Sequence, residues 1–274
     1  MNKLHFWGVR GSIPTVLSPS TRIGSNTPCL SLELENTHII LDAGTGLYKC
    51  GEYLLNHPKK IVFLMSHYHW DHIQGLPYFY PFYRLNYDID ITSSHPYNIN
   101  SILEDLFDGI KFPIKLSQLS SAPQVLTKKE YHSFQKQFCC SSIENRHPGI
   151  SFSYRFEVNK KIIVYCSDNE LYPFSSHENN QHVQFCKDSD ILILDTHYNH
   201  SDHPKRRGWG HGFLHDSLEL ALRSNVKSLY LFHHDPRKSD NELKRQEKLA
   251  KEWVKKKGGH FNIYTATEGF SLSL

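Results

Sequence analysis

No stretch of about 18 consecutive apolar residues occurs in the chain, so no segment reads as a membrane-spanning helix. The opening residues Met1-Asn2-Lys3-Leu4-His5-Phe6-Trp7 enter a strand pattern at once, without the apolar core of a secretory leader. There are six cysteines, Cys29, Cys50, Cys139, Cys140, Cys166 and Cys186, and no two stand as Cys-x-x-Cys. That irregular spacing argues against a cysteine-built zinc site, and a reducing cytoplasm is the expected location. No internal repeat with a period of roughly 20–50 residues and no low-complexity tract is found. Charge of one sign is also scarce. The formal net charge is +3, which does not point to nucleic acid and suits a small anionic substrate equally well.

What is present is an ordinary globular composition with an excess of histidine. Hydrophobic residues make up 39% and charged residues 22% of the 274 positions, enough to bury a sizeable core in one large α/β domain spanning 1–274. The 19 histidines direct the search to metal sites, because imidazole is the commonest metal ligand.

Strand and helix patterns alternate along the chain. Leu4 to Trp7 reads as a first strand, and Leu30–Leu34 with His38–Leu41 as a hairpin. Leu41-Asp42-Ala43-Gly44-Thr45-Gly46 turns into a helix that runs to about Leu55. Ile61 to Met65 is a continuous apolar run, the mark of a buried strand. Between about 77 and 137 the pattern is less regular and rich in aromatics, with a strand near Ile89–Thr92 and a helix near Ile99–Phe107. It reads either as a lid over a site or as an aromatic-packed insertion. Further on, Phe152–Val158 and Lys161–Cys166 read as a hairpin, and Ile191–Leu194 and Ser228–Phe232 as buried strands. Ser217–Arg223 and Asn241–Lys257 read as helices, the latter amphipathic and stopped by Gly258-Gly259.

The chemistry concentrates at strand ends. His67-Tyr68-His69-Trp70-Asp71-His72 follows the buried strand directly. Residues two apart in an extended segment face the same way, so His67 and His69 can grip one ion, while Asp71 and His72 face a second position as the chain turns into a helix. Three imidazoles and a carboxylate suit zinc, with iron or manganese as alternatives. Four further segments place His or Asp after strands: His147, Asp168, Asp195, and His233-His234-Asp235-Pro236. Each is weak alone, since a lone strand-end Asp is usually a turn residue. As an ordered series they point to one crevice, because an α/β scaffold gathers side chains at its strand ends.

The His-x-His-x-Asp-His motif at 67–72, with Gly8-Val9-Arg10-Gly11-Ser12-Ile13-Pro14, Asn26-Thr27-Pro28-Cys29, Leu41-Asp42-Ala43-Gly44-Thr45-Gly46 and Phe232-His233-His234-Asp235-Pro236, resembles the metallo-β-lactamase fold superfamily of hydrolases. The resemblance runs from Leu4 to about Leu274 and is closest to a bacterial branch near ribonuclease Z and the cyclic-phosphodiesterase-like members. It implies a four-layer αββα sandwich with two divalent ions at one edge of the paired sheets. His67, His69 and His147 would hold the first, Asp71, His72 and His233 the second, and Asp168 would bridge them. The choice of His233 over His234 rests on aligning Leu231-Phe232-His233 with the family's strand-end histidine. Asp42 matches an early Asp that orients ligands. Trp209-Gly210-His211-Gly212 matches in part a Gly-His-Ser motif, with Gly212 in place of the serine. His211 would then be the general acid or a phosphate contact, and Asp195 the carboxylate that orients it. His197, His200, His203 and His215 are nearby alternatives. Arg10 is either a phosphate ligand, because its fork matches two oxygens, or an ordinary hairpin arginine.

The substrate expected from the resemblance is a small phosphodiester such as a cyclic nucleotide or cyclic phosphate. Only 26 residues separate Asp168 from Asp195 and they are not basic, which leaves little room for the long basic arm that ribonuclease Z uses on tRNA. A nuclease acting on RNA ends is the second reading. A non-hydrolytic di-iron redox or sensing protein is the third, weakened because no redox domain is attached. A homodimer is expected from the branch, and no membrane partner is.

Overall fold

The computed structural model of the chain describes residues 2–15, 22–171 and 177–274. Thirteen strands and eight helices are formed among the described residues. The first half holds β1 (Lys3–Gly8), β2 (Cys29–Glu33), β3 (Thr37–Leu41), α1 (Leu47–Leu55), β4 (Lys60–Met65), α2 (Trp70–Ile73), β5 (Ile89–Ser93), α3 (Ile99–Leu106), β6 (Gln124–Val125) and α4 (Lys128–Gln137). The second half holds β7 (Cys140–Asn145), β8 (Ser151–Val158), β9 (Lys161–Cys166), α5 (His177–Cys186), β10 (Ile191–Asp195), α6 (His203–Arg206), α7 (Leu214–Arg223), β11 (Ser228–Phe232), α8 (Asp240–Lys256), β12 (Asn262–Thr265) and β13 (Ser271–Ser273).

Two sheets result. The first has the order β13-β1-β2-β3-β4-β5-β6 and the second β12-β11-β10-β9-β8-β7. Strands β3 to β6 are parallel, as are β9 to β12, and the remaining pairs are antiparallel. The central parallel strands β4, β10 and β11 are covered on both faces, which explains their unbroken apolar runs. Side chains alternate between the two coverings. Val62 and Leu64 enter the core between the sheets, while Ile61, Phe63 and Met65 meet the helices outside. In the second sheet Ile193, Tyr165 and Phe232 face the inter-sheet core, and Leu192, Leu194, Leu229 and Leu231 face the outer helices α7 and α8. Three apolar clusters therefore separate four layers, and the architecture is the expected αββα sandwich.

Residues 77–137 contribute β5 and β6 to the first sheet, and their aromatics Phe79, Phe82 and Phe107 are fully buried beneath α1 and α3. The sequence reading did not find α4. Its Thr127–Glu130 capping box is a start signal, but the helix buries little beyond Phe134 and so shows a faint apolar period.

Candidate metal centre

The parallel strands of both sheets end at one crevice. β4 delivers Ser66 and His67, after which His69 sits at the N-cap of the four-residue α2, which carries Asp71 and His72. The ends of β3, β9, β10 and β11 carry Asp42, Asp168, Asp195 and His233, and the turn after β7 carries His147. Asp42, Asp168 and His233 all have left-handed backbone, with φ of 59°, 49° and 55°. Non-glycine residues held there cost about 1–3 kcal/mol each and persist where the surroundings over-determine them.

The carboxylate of Asp168 is buried and two-sided. Its Oδ2 lies 3.7 Å from both His67 Nε2 and His147 Nε2, and His147 Nε2 lies 2.9 Å from His69 Nδ1. Its Oδ1 lies 3.2 Å from both His72 Nε2 and His233 Nε2, which in turn lie 3.5 and 3.3 Å from Asp71 Oδ2. Two groups of potential ligand atoms thus share one carboxylate: His67, His69, His147 and Asp168, and Asp71, His72 and His233. Among the described residues His67 Nε2 and His72 Nε2 are buried with no hydrogen-bond partner. Unpaired buried nitrogens are costly, and aiming them at a common carboxylate fits divalent-ion ligation.

The outer hydrogen bonds set the tautomers that such ligation needs. Asp42 Oδ2 accepts from His72 Nδ1 at 2.8 Å, from the Ser66 hydroxyl at 2.8 Å and from the Tyr165 hydroxyl at 2.6 Å, while Oδ1 accepts from the Ser66 amide at 2.7 Å. Ser66 Oγ in turn accepts from His67 Nδ1 at 3.0 Å. His147 Nδ1 donates to the Gly210 carbonyl at 2.8 Å. With Nδ1 protonated in all three rings, the Nε2 lone pairs face inward. Burial pushes His67 well down and His147 to about 4, keeping both in the neutral form that binds cations. Burial also opposes the charge on Asp168 and Asp71, but the surrounding imidazoles hold both carboxylates well below their ordinary range.

A further group, Asp195, His197, His211 and His233, adjoins the second set. His211 Nδ1 lies 3.1 Å from Asp195 Oδ2, and the rings of His197, His211 and His233 form a stack with centroids 4.7 and 5.0 Å apart. Burial alone would lower His211, but the hydrogen bond and charge of Asp195, with Asp168 and Asp71 adding to it, lift it to about 9. His197 is not a free alternative to His211. Its Nδ1 donates to the His233 carbonyl and its amide to Asp195 Oδ1, both at 2.9 Å, so it braces the two functional side chains.

Other sequence candidates lie apart. His234 turns away and donates from Nε2 to the Ala266 carbonyl at 3.0 Å, so His233 is the one facing Asp71 and Asp168. The structure does not bring Arg10 to the crevice. Its guanidinium is fully buried, donating to the carbonyls of Gly24, Asp235 and Lys238 and lying 3.6 Å from Asp240. The phosphate-ligand expectation for Arg10 is therefore corrected: Nε and Nη1 are taken by backbone carbonyls, the buried Nη2 faces Asp240, and none of them is offered to solvent. His215 packs edge-on to Trp253 on the outer helices, and the side chains of His200 and His203 lie outside the described residues.

Sequence reasoning missed the role of the segment around Arg10. A Cβ on Gly11 would lie 2.4 Å from the His233 ring, so only glycine lets the backbone pass there, and the next amide, Ser12, donates to Asp71 Oδ2 at 2.7 Å. It also missed Glu170, whose buried carboxylate accepts from the amides of Gly208 at 2.7 Å and Gly210 at 2.9 Å and so fixes the loop that leads into His211. Nothing in the local sequence marks Glu170 out, because its partners lie 38 and 40 positions away.

An αββα sandwich with paired histidine–aspartate ligand sets at its strand ends defines a metal-dependent hydrolase. The chain belongs to the beta-lactamase superfamily, whose domain model matches residues 37–234, a span containing every residue of the two ligand sets. It is 25% identical over 297 residues to the ribonuclease Z of Picrophilus torridus, covering 88% of both chains. Its fold resembles the metallo-beta-lactamase fold protein YhfI from Bacillus subtilis (TM-score 0.70, 16% identity, 99% of this chain and 98% of that one). It also resembles a diphosphatase from the PhnP family (TM-score 0.65, 17% identity, 100% and 98%). Among the described residues no helix is long and apolar enough to cross a membrane.

Proposed function

We propose that this hydrolase is a binuclear phosphodiesterase acting on a small phosphodiester such as a cyclic nucleotide or cyclic phosphate. The observation that carries the reading is the two-sided Asp168 with the Asp195–His211 pair beside it. His67, His69, His147 and Asp168 Oδ2 would hold one ion, and Asp71, His72, His233 and Asp168 Oδ1 the other. The nitrogen-rich donor set favours zinc. Ions bound there supply Lewis-acid activation of water near neutral pH and a clamp for phosphate oxygens. The protein's own part is positioning and proton delivery. Asp195 holds His211 by Nδ1, which leaves Nε2 as the ring atom for the substrate, and His211 hands a proton to the leaving oxygen as a general acid. All six cysteines are free thiols, in keeping with a reducing cytoplasm as the place of action.

One observation favours a second reading, an RNA-end nuclease: the ribonuclease Z relative aligns over 88% of the chain. A panel assay on metal-loaded protein separates the two. It should contain bis-p-nitrophenyl phosphate, 3′,5′- and 2′,3′-cyclic nucleotides, a precursor tRNA, a lactone and a thioester. The expected result is turnover of the small phosphodiesters, abolished by Asp71→Ala. Preferential cleavage of the precursor tRNA would replace the first reading by the second, and turnover of the lactone or thioester alone would overturn both.

A further inference from the structure

Four tryptophans are present, and their placement is uneven. Trp7 and Trp253 pack against the two helix–sheet cores. The other two are exposed, Trp70 by 60% and Trp209 by 54%. Trp70 stands between His69 and Asp71 in the chain. Trp209 precedes Gly210, whose carbonyl holds His147, and His147 Nε2 is 2.9 Å from His69 Nδ1. Both tryptophans are thus chain neighbours of groups that meet at the first ligand set.

The loop carrying Trp209 is anchored by hydrogen bonds. The Glu170 carboxylate takes the amides on either side of it, Gly208 and Gly210, and a Cβ on Gly210 would lie 2.3 Å from His147 Nδ1. A large apolar ring held out to water by a fixed backbone loses the hydrophobic gain of burial, and such rings mark recognition surfaces. Arg206 completes the group. Its guanidinium lies 4.3 Å from the Trp209 ring centre and 5.9 Å from that of Tyr198, and the Tyr198 ring meets His211 edge-on at 5.8 Å. Among the described residues no carboxylate forms an ion pair with Arg206, whereas the neighbouring Arg207 lies within 3.6 Å of Glu170 and 3.9 Å of Asp216. Among the described residues Arg206 is therefore a cation without an ion-pair partner, held over the Trp209 and Tyr198 rings on the His211 side.

We propose that Trp70 and Trp209 form a stacking rim for the nucleobase of the substrate and that Arg206 contacts its phosphate. The inference rests on the phosphodiesterase reading and narrows it to nucleotide substrates. Indole faces accept any base, so the rim selects for a base without selecting among bases. An aliphatic phosphodiester loses this contact and keeps those made to its phosphate.

Equilibrium binding to the metal-loaded protein tests this without turnover. The probes are adenosine 5′-monophosphate and ribose 5-phosphate, which differ by the base alone. The wild type should bind the nucleotide about tenfold more tightly or better, the range of a single base–aromatic stack. Trp209→Ala and Trp70→Ala should each bring the ratio towards one with metal content unchanged, and Trp209→Phe should restore it. Arg206→Gln should weaken both probes alike. A wild-type ratio near one, or a ratio untouched by either alanine variant, overturns the proposal. So does loss of a dimer on ultracentrifugation of either alanine variant, which would make the indoles a subunit interface. The two readings fail separately. A base-dependent ratio without phosphodiester turnover sinks the phosphodiesterase reading, and turnover of bis-p-nitrophenyl phosphate with a ratio near one sinks the nucleotide rim.

Discussion

Two buried histidine–carboxylate clusters flank the first sheet, and they differ in what their nitrogens face. At the strand ends, Asp168 is surrounded by imidazoles, and those of His67, His72 and His147 have their outer nitrogens already fixed, so that the inner ones converge on it. Between the sheet and α1, Glu33 is saturated instead. Its Oε2 accepts from His5 Nε2 and the Tyr53 hydroxyl at 2.9 Å, and its Oε1 accepts from Lys59 at 3.3 Å. Nearby His38 is fully buried with neither ring nitrogen hydrogen-bonded among the described residues. Both places bury histidine beside a carboxylate. What makes one a metal centre is convergence: lone pairs from separate strands aimed at a carboxylate that has capacity left.

Breaking that convergence should have the largest effect. Asp168→Ala removes the shared carboxylate, so the purified protein should lose metal by elemental analysis and fall to background turnover, whereas Glu33→Gln should retain both. Equal metal content in the two variants would erase the distinction between the clusters. Next in size is His211→Ala, which leaves both ligand sets intact. Turnover should drop about 10²–10⁴-fold, the usual contribution of a general acid, while metal content stays at the wild-type level. The deficit should be smaller for bis-p-nitrophenyl phosphate, whose leaving group needs little protonation, than for a 2′,3′-cyclic nucleotide. A uniform deficit across leaving groups would instead assign His211 to phosphate contact. Smaller again is Asp42→Asn, which removes the common acceptor behind His67 and His72. Metal affinity, measured by competition with a chelator, should fall about 10–100-fold. An unchanged affinity would mean that packing alone holds the two rings.

The same contrast explains how much could be read in advance. The β4 strand and the 67–72 segment were legible because a strand's side-chain period and the ligand spacing both lie within six residues. The two-covered strands Ile191–Asp195 and Ser228–Phe232 were legible for a similar reason, since burial on both faces leaves an unbroken apolar run. His233 needed the family pattern, because two adjacent histidines after one strand differ only in backbone direction. Its φ of 55° turns its ring to Asp168, while His234 turns to Ala266. The supporting bonds were not legible. Tyr165 reads as an ordinary strand residue until its hydroxyl is found on Asp42, and Glu170 reads as a loop acid until its carboxylate is found on Gly208 and Gly210. Arg10 failed for the opposite reason: its guanidinium suits a phosphate and a trio of carbonyls equally, and only the tertiary structure shows which it meets.

The smallest effect belongs to the saturated cluster and concerns stability rather than activity. Burial pushes His38 down from 6.5 to about 4, with Lys59 and His5 acting in the same direction and Glu33 against them. The unfolded chain therefore takes up a proton near pH 6.5 that the folded chain refuses until about pH 4. Across that window the unfolded state binds more protons, so stability falls as the pH drops from 6.5 towards 4 and is fully present above 6.5. Tyr53 and His57 also face this cluster, and Glu33, held at about 2, contributes its own loss only at lower pH. His38→Leu removes the proton site without opening a large cavity. Denaturant unfolding at pH 7.5 and 5.0 should show a pH-dependent loss smaller in the variant by about 1–3 kcal/mol. Taking the difference between the two proteins cancels the pH dependence of the metal ligands, which both share. An equal loss in both would show that His38 titrates normally in the fold and that its burial is relieved by a partner reached only in solution.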